Sequence, residues 1–238
     1  MKKILTFTAL AVGLLASYGQ GTLKVYNISA TYAISTNTGT SIFAGGTQTG
    51  GTSGKLALPA TGNLYYFALL AAPYSPSTTT TNPSTFAGLS GSFVAVAGIS
   101  NSTVAGGISG PGGNAGSAVT GWAAPTDANY NTAAEMNYIL VGWSANLGAT
   151  WASIATQLAG GWGGNGYFGV SSLGYGYSGG GPNSLPTPSI WSVTTAEPGG
   201  LTTGFSLYAV APAGVPEPST LALAALGGAS LLLFRRRK

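Results

Sequence analysis

The sequence predicts a mainly β fold, either a β-sandwich or a jelly-roll-like single domain, with one short helix. Apolar runs of strand length recur along the chain, and segments rich in Gly, Ser, Thr, Asn and Pro separate them. Short runs of this kind, enriched in aromatic and β-branched residues, are typical of antiparallel β-proteins. Charged residues make up 5% of the chain and hydrophobic residues 45%, a balance that favours a packed core over disorder.

Seven segments have the length and composition of strands. The run 64–70 is apolar throughout, which predicts a strand buried on both faces. The run beginning at Phe205 begins with alternation instead. The predicted strands are 23–29, 64–71, 93–97, 103–108, 138–143, 167–171 and 205–210.

One segment has helical rather than strand periodicity. Its apolar residues recur at the spacing of one helix face, so we expect a short helix that packs on a sheet. Asn146 is the predicted N-cap, and Gly160-Gly161 is the predicted end. The apolar stripe consists of Leu147, Trp151, Ile154 and Leu158.

The distribution of charge argues against a nucleic-acid partner. The chain has eight basic residues and a pI of about 9.3, but most of the bases lie near the two ends. Between residues 20 and 214 there are two bases and three acids, which leaves a net charge of −1. A nucleic-acid-binding protein needs a basic patch to displace phosphate counterions. No such patch is present in this part of the sequence.

The residue types required for most catalysis are scarce. The chain contains no His and no Cys, so we expect no zinc site and no activated Ser or Cys nucleophile. The acids of the central region are Asp127, Glu135 and Glu197. A glycosidase would need a pair of carboxylates, and Asp127 with Glu135 is the pair that the sequence offers. The favoured interpretation is that these two are surface charges, and we expect no enzyme, cofactor or metal site.

Aromatic residues are the remaining candidates for ligand contact. Trp122, Trp162 and Trp191 fall in predicted loops, where an exposed ring could stack on the face of a sugar. Core packing or turn stabilisation is the favoured interpretation for each of these three residues, and contact with sugar is the alternative.

The first 19 residues have the pattern of a secretory signal peptide. Lys2 and Lys3 precede the uncharged apolar run 4–15, and small residues follow it. Ser17 and Gly19 fit the small-residue preference of signal peptidase, with Gln20 as the first mature residue. The sequence thus predicts cleavage by signal peptidase and export.

The last 24 residues form a second targeting pattern. The apolar run 220–234 would make a helix of about 22 Å, shorter than the hydrocarbon core of about 30 Å. Terminal positive charges favour the cytoplasmic side, so we expect a marginal transmembrane helix and a transient anchor in the inner membrane. The residues preceding the helix are Val215, Pro216, Glu217, Pro218 and Ser219, and those ending the chain are Arg235, Arg236, Arg237 and Lys238.

Residues 215–238 resemble the tail of the PEP-CTERM family of exported bacterial proteins, and Val215 to Ser219 match its motif residue by residue. The resemblance implies processing by the membrane enzyme exosortase, release to the cell surface or extracellular space, and association with exopolysaccharide. It implies no activity for the central region. The predicted organisation is a signal peptide at 1–19, a β-rich exported domain at 20–214 and a sorting tail at 215–238.

Three functions are consistent with this organisation. The first is a non-enzymatic surface or matrix protein, and the second is a carbohydrate-binding module or adhesin that uses an aromatic surface. The third is a glycosidase that uses Asp127 and Glu135.

Overall fold

The computed structural model describes residues 20–27, 32–37, 54–55, 65–75, 89, 93–101, 106–130 and 134–212. Over these residues the chain is mainly β with one helix, α1 (Trp151–Gly160), which confirms the predicted mainly β composition and the single short helix. The signal-peptide and tail predictions fall on residues outside this set. The strands are β1 Gln20–Leu23, β2 Tyr26–Asn27, β3 Ser35–Asn37, β4 Gly54–Lys55, β5 Tyr65–Pro73, β6 Val94–Asn101, β7 Ile108–Ser109, β8 Ser117–Ala123, β9 Met136–Ser144, β10 Gly166–Val170, β11 Gly174–Gly176 and β12 Ser206–Val210.

The strands form one large sheet and one small sheet. The large sheet has ten strands in the order β2-β7-β6-β5-β9-β10-β12-β3-β4, with β11 paired to β9, and the small sheet pairs β1 with β8. The β12–β3 pair is parallel, and the other strand pairs of the described chain are antiparallel. A β-sandwich or jelly roll would have two sheets of comparable size, whereas the described strands form one sheet of ten strands and one of two. Here the described residues place α1 on one face of the large sheet and the two-stranded sheet with its neighbouring loops on the other.

The pair β5–β9 is the centre of the fold. Each strand has nine residues, aligned from Tyr65 opposite Ser144 to Pro73 opposite Met136. At about 3.4 Å per residue the pair is about 30 Å long. Its two ends therefore lie on opposite sides of the molecule.

Both faces of β5 are buried, as its uninterrupted apolar run predicted. Phe67 and Leu69 pack into the core on the side of the small sheet, together with Leu23, Val119 and Leu207. The alternate residues of β5 pack into a second core against α1. These alternate residues are Ala68, Leu70 and Ala72.

Helix α1 begins later than the sequence predicted. Thr150 is its N-cap, and the Thr150 side chain accepts a hydrogen bond from the backbone N–H of Ser153. Asn146 is not the cap, because it lies in a separate 3₁₀ turn, Ala145–Leu147. The predicted end is confirmed: Gly161 follows the last helical residue with φ of 99°, a conformation that glycine adopts readily.

Strand boundaries in the first half of the chain differ from the predictions. The segment 23–29 contains two short strands, because Lys24 leaves the ladder and pairs with Ser189. In the segment 103–108, Gly106 forms a turn and only Ile108 belongs to a strand, while residues 103–105 lie outside the described set. Strand β8 was not predicted. A β-bulge at Gly121 (φ 75°) puts Val119 and Trp122 on the same side, and this breaks the two-residue period.

Candidate functional site

The predicted tryptophan contacts lie mainly in the core. Trp122 is 1% exposed in β8, not in a loop, and Trp191 is 4% exposed. Trp122 donates a hydrogen bond from Nε1 to the carbonyl of Ala134. Trp162 lies in the loop after α1, half-buried, with its ring 5.3 Å from that of Phe168. The faces of Trp122 and Trp191 are therefore covered by protein.

The three acids of the central region, residues 20–214, occupy different environments. Asp127 accepts a hydrogen bond from the backbone N–H of Asn129 at 2.7 Å, which closes a local turn. Glu135 is partly exposed just before β9, and Glu197 is fully buried. Asp127 and Glu135 are each near the surface, as expected of surface charges, whereas the burial of Glu197 was not foreseen.

A hollow of about 580 Å³ lies at one end of the central strand pair, where β5 begins and β9 ends. Tyr65 and Tyr167 are its aromatic residues, and both pack against the core on the small-sheet side. Between them Ser144 accepts a hydrogen bond from the backbone N–H of Tyr167 at 2.9 Å. Across the sheet Tyr167 pairs with Ala209, whose short side chain leaves the hollow open. We call this hollow the neutral end.

The neutral end also carries two amide side chains. Asn146 donates from its Nδ2 to the backbone carbonyl of Asn165, so the two loops that hold them are joined. Burial, and secondly the proximity of Tyr167, raise the pKa of Tyr65, so its phenol keeps its proton at physiological pH. The described residues that line the hollow carry hydroxyl, amide and aromatic groups but no charge. Such a surface suits an uncharged ligand with both apolar faces and hydroxyl groups.

Two pairs of tyrosine rings lie beside the Glu135 carboxylate at the opposite end of the same strand pair. The rings of Tyr74 and Tyr175 lie 5.4 Å apart, and those of Tyr130 and Tyr177 lie 5.8 Å apart. The backbone N–H of Tyr74 donates to the carbonyl of Glu135 at 3.1 Å. All five residues are partly exposed. We call this group the acidic end.

The backbone holds the acidic end on both sides of β11. Tyr175 pairs with Asn137 of β9, and on its other side it exchanges two 3.1 Å hydrogen bonds with Gly199. Tyr177 donates its N–H to Ala196 at 2.7 Å. A side chain at Gly199 would overlap the Tyr175 ring, since its Cβ would lie 2.1 Å from the ring. The glycine therefore lets this ring lie close against the backbone.

Glu197 is buried beneath the acidic end, where it meets Tyr138. Tyr138 donates from its hydroxyl to Oε2 of Glu197 at 2.8 Å, and Oε1 has no hydrogen-bond partner among the described residues. Burial raises the pKa of Glu197 to about 9, although the bond from Tyr138 acts in the opposite direction. The group is therefore a neutral carboxylic acid at pH 7. Gly176 leaves room for it, because a Cβ there would lie 2.1 Å from Oε2.

A second cavity, of about 620 Å³, lies between α1 and strands β5 to β7. Tyr66, Trp143 and Trp151 form its aromatic wall, and Ala68 and Gly98 lie beneath them. Ser109 and Thr150 are the hydroxyl side chains besides Tyr66, and Thr150 is already used as the cap of α1. This cavity is larger but offers a hydroxylated ligand fewer hydrogen bonds than the neutral end.

The tyrosines of both ends were not predicted from the sequence, although the sequence contains a signal for those of the acidic end. In Gly174-Tyr175-Gly176-Tyr177 a strict two-residue period puts both tyrosines on one face and both glycines on the other. The neutral end has no comparable signal. Its residues come from four separate segments that only the folded sheet brings together.

Residues 214–238 match the family model of the PEP-CTERM protein-sorting motif. The chain therefore carries a PEP-CTERM sorting tail. This confirms the predicted resemblance, and a PEP-CTERM tail supports an exported protein that is sorted by exosortase and anchored through its C-terminal motif. No curated protein and no solved structure matches the chain.

The described residues, which lie upstream of the PEP-CTERM tail, include no helix with the length and hydropathy of a membrane span. Nor do they contain a group of three or more His, Cys, Asp or Glu residues that could hold a metal ion.

Proposed function

We propose that this PEP-CTERM protein is a non-enzymatic surface protein that binds neutral extracellular polysaccharide through the neutral end of its central sheet. The observation that carries the proposal is the combination of Tyr65 and Tyr167 with the amides of Asn146 and Asn165 around one hollow. Aromatic faces can stack on the apolar faces of sugar rings. Amide and hydroxyl groups supply the directional hydrogen bonds that fix an uncharged ligand.

The electrostatics of the hollow support a neutral rather than a charged sugar. A charged ligand would have to leave water for a surface that offers no opposite charge, and this desolvation is costly. The lining residues carry no charge, and Tyr65 keeps its phenolic proton because its pKa is raised. Neutral glucans, mannans or galactans are therefore the ligand class that this end favours.

A binding rather than a catalytic role agrees with the state of the carboxylates. Glycoside hydrolysis needs two carboxyl groups that flank the scissile bond. Glu197 is buried away from any substrate, and Asp127 is held in a local turn. The lining of the neutral end includes no carboxylate.

The sorting part of the proposal is tested by intact-mass analysis of protein recovered from exosortase-bearing cells. Pro216 and Pro218 favour an extended backbone, which a protease cleft can pair with. We expect a mature protein that begins near Gln20 and lacks the segment 235–238. Replacing Pro216, Glu217 and Pro218 by Ala should leave an unprocessed membrane form. If most of the surface-exposed wild-type protein retains Lys238, the tail is only an anchor.

The glycan part is tested by sedimenting the full chain, in mild detergent, with insoluble neutral polysaccharides such as curdlan, cellulose and mannan. Asn165 is exposed, so Asn165→Ala should leave the fold intact while it removes an amide from the hollow. We expect this variant and Tyr167→Ala to bind about tenfold more weakly, a change that corresponds to about 1.4 kcal/mol.

The matched control is Asn183→Ala, which also removes an exposed amide but lies outside the hollow. It should bind as the wild type does. Equal loss in Asn183→Ala and Asn165→Ala would show that the neutral end is not the site. Release of reducing sugar from any of these polysaccharides by the wild type would contradict a purely binding role.

A further inference from the structure

We infer that the acidic end is a second, separate binding site, which takes the ammonium group of an amino sugar in a polysaccharide. The inference does not depend on the neutral end, because the two groups share no residue and lie at opposite ends of β5 and β9. It is carried by the strand register: Met136 pairs with Pro73 on one side and with Gly176 on the other, so Glu135 lies between Tyr74 and Tyr177, and each of these rings packs against a second tyrosine.

The four tyrosine rings are partly exposed, so a cation can approach them. Ammonium groups are attracted to the negative face of an aromatic ring when they lie within about 6 Å of its centre. Tyr74 and Tyr175 form one pair at 5.4 Å and 45°, and Tyr130 and Tyr177 form another at 5.8 Å and 30°. The rings of Tyr74 and Tyr175 are tilted against each other, whereas those of Tyr130 and Tyr177 are stacked.

Glu135 supplies the negative charge. It lies close enough to both ring pairs that, after burial, its charge contributes to the raised pKa of Tyr74 and of Tyr177. Partial burial also raises the pKa of Glu135 itself. No described residue forms an ion pair with its carboxylate, so a bound cation would compensate a charge that has already lost part of its hydration.

The backbone of Tyr130 indicates that the site is held in a defined shape. Tyr130 adopts φ of 61°, which bulky residues rarely do, and its ring rests on Tyr177. Backbone hydrogen bonds hold Tyr175 and Tyr177 against their neighbours on both sides of β11. A site built in this way does not have to be ordered when the ligand arrives, which favours binding.

The charge of the site selects among sugars. A protonated glucosamine unit carries an ammonium group next to an apolar ring face, so it matches both the carboxylate and the tyrosines. N-acetylation removes the charge and leaves the Glu135 carboxylate without a partner. The deacetylated form of the same oligomer should therefore bind more tightly.

The test is isothermal titration of the full chain in detergent at pH 6 with two probes, fully deacetylated chitosan tetramer and its fully N-acetylated counterpart. We expect the deacetylated tetramer to bind at least tenfold more tightly, and the preference to weaken with added salt. Glu135→Gln keeps the shape of the side chain and should abolish the preference. Tyr175→Ala should weaken binding of the deacetylated tetramer, and tetramethylammonium should compete with it.

The matched control is Asp127→Asn, which removes a carboxylate from a nearby turn but keeps an oxygen that can accept the bond from Asn129. This variant should retain the full preference. Equal affinity for the two tetramers, or an unchanged preference in Glu135→Gln, would overturn the proposal. Binding to phosphatidylcholine vesicles with no binding of the deacetylated tetramer would overturn the assignment to an amino sugar.

Discussion

The two ends of the β5–β9 pair use the same aromatic residue in opposite electrostatic settings. At the neutral end Tyr65 and Tyr167 lie beside serine and asparagine, and burial keeps the phenol of Tyr65 protonated. At the acidic end Tyr74 and Tyr177 lie beside Glu135, with Glu197 buried below. Tyrosine provides the flat apolar surface in both places, and the neighbouring side chains determine which ligand charge each end favours.

Glu197, buried beneath the acidic end, makes the stability of the folded protein depend on pH. In the unfolded chain it would release its proton near its ordinary value of 4.5, whereas the folded protein keeps the proton up to about 9. The folded state thus binds more protons throughout this window, so its stability falls as the pH rises from 4.5 to 9. The chain has no His and only four acids, so few other groups titrate there.

The largest expected effect is therefore that of Glu197→Gln on the pH dependence of stability. Gln keeps the size and hydrogen-bonding ability of the neutral acid but cannot ionise. The wild type should lose stability on the order of 6 kcal/mol between pH 4.5 and 9, at about 1.4 kcal/mol per unit of pKa shift. The variant should give a nearly flat profile and be more stable than the wild type at pH 8.

Denaturant unfolding at a series of pH values measures the free energy of unfolding of the wild type and of Glu197→Gln. Glu135→Gln is the control, since the Glu135 carboxylate is partly exposed. A wild-type profile that is flat, or that rises with pH, would show that Glu197 is not held protonated.

The next largest effect concerns the glycines that make room beneath the tyrosines. In Gly176→Ala the added methyl would lie 2.1 Å from Oε2 of Glu197 and 2.7 Å from the carbonyl of Ala196. Overpacking of this kind costs about 1–3 kcal/mol. We expect Gly176→Ala to lower the midpoint of thermal unfolding and to disturb the acidic end more than the neutral end.

Gly160→Ala is the matched control, because nothing lies within 4 Å of the Cβ that it would add at the end of α1. Alanine favours a helix over glycine by about 1 kcal/mol. This variant should be as stable as the wild type or slightly more stable. Equal destabilisation by the two substitutions would mean that β11 is not closely packed on Glu197.

The sequence allowed the central strands to be predicted better than either end. The run 64–70 is apolar at every position, and this predicted the two-sided burial of β5 correctly. Helix α1 was predicted from the stripe that includes Ile154 and Leu158, both buried. Its first turn was misplaced because Asn146 and Thr150 are both good caps, and only the 3₁₀ turn at Ala145–Leu147 decides between them.

The binding residues were harder to predict for a physical reason. Tryptophan in a Gly-rich segment appears exposed in the sequence, but the core of this fold is lined by large aromatic residues such as Trp122 and Trp143. Tyr65 and Tyr167 come close only because β9 lies between β5 and β10 in the sheet. Strand order depends on long-range pairing, which local sequence patterns do not contain.

The smallest expected effect comes from introducing a negative charge at the neutral end. Asn165→Asp replaces an exposed amide by a carboxylate of almost the same shape, so the fold should not change. Neutral glycan binding should weaken about threefold, because an amide donor is lost. Binding of the deacetylated chitosan tetramer should increase about two- to threefold, since a screened surface charge contributes little.

Measuring both ligands on Asn165→Asp and on the double variant Asn165→Asp/Glu135→Gln separates the two ends. In the double variant the acidic end has lost its charge, so any remaining preference for the deacetylated tetramer must arise at the new carboxylate. If Asn165→Asp changes the affinity for neither ligand, Asn165 does not contact sugar. If it lowers the affinity for both ligands equally, binding at the two ends is coupled, and local charge does not set the difference between them.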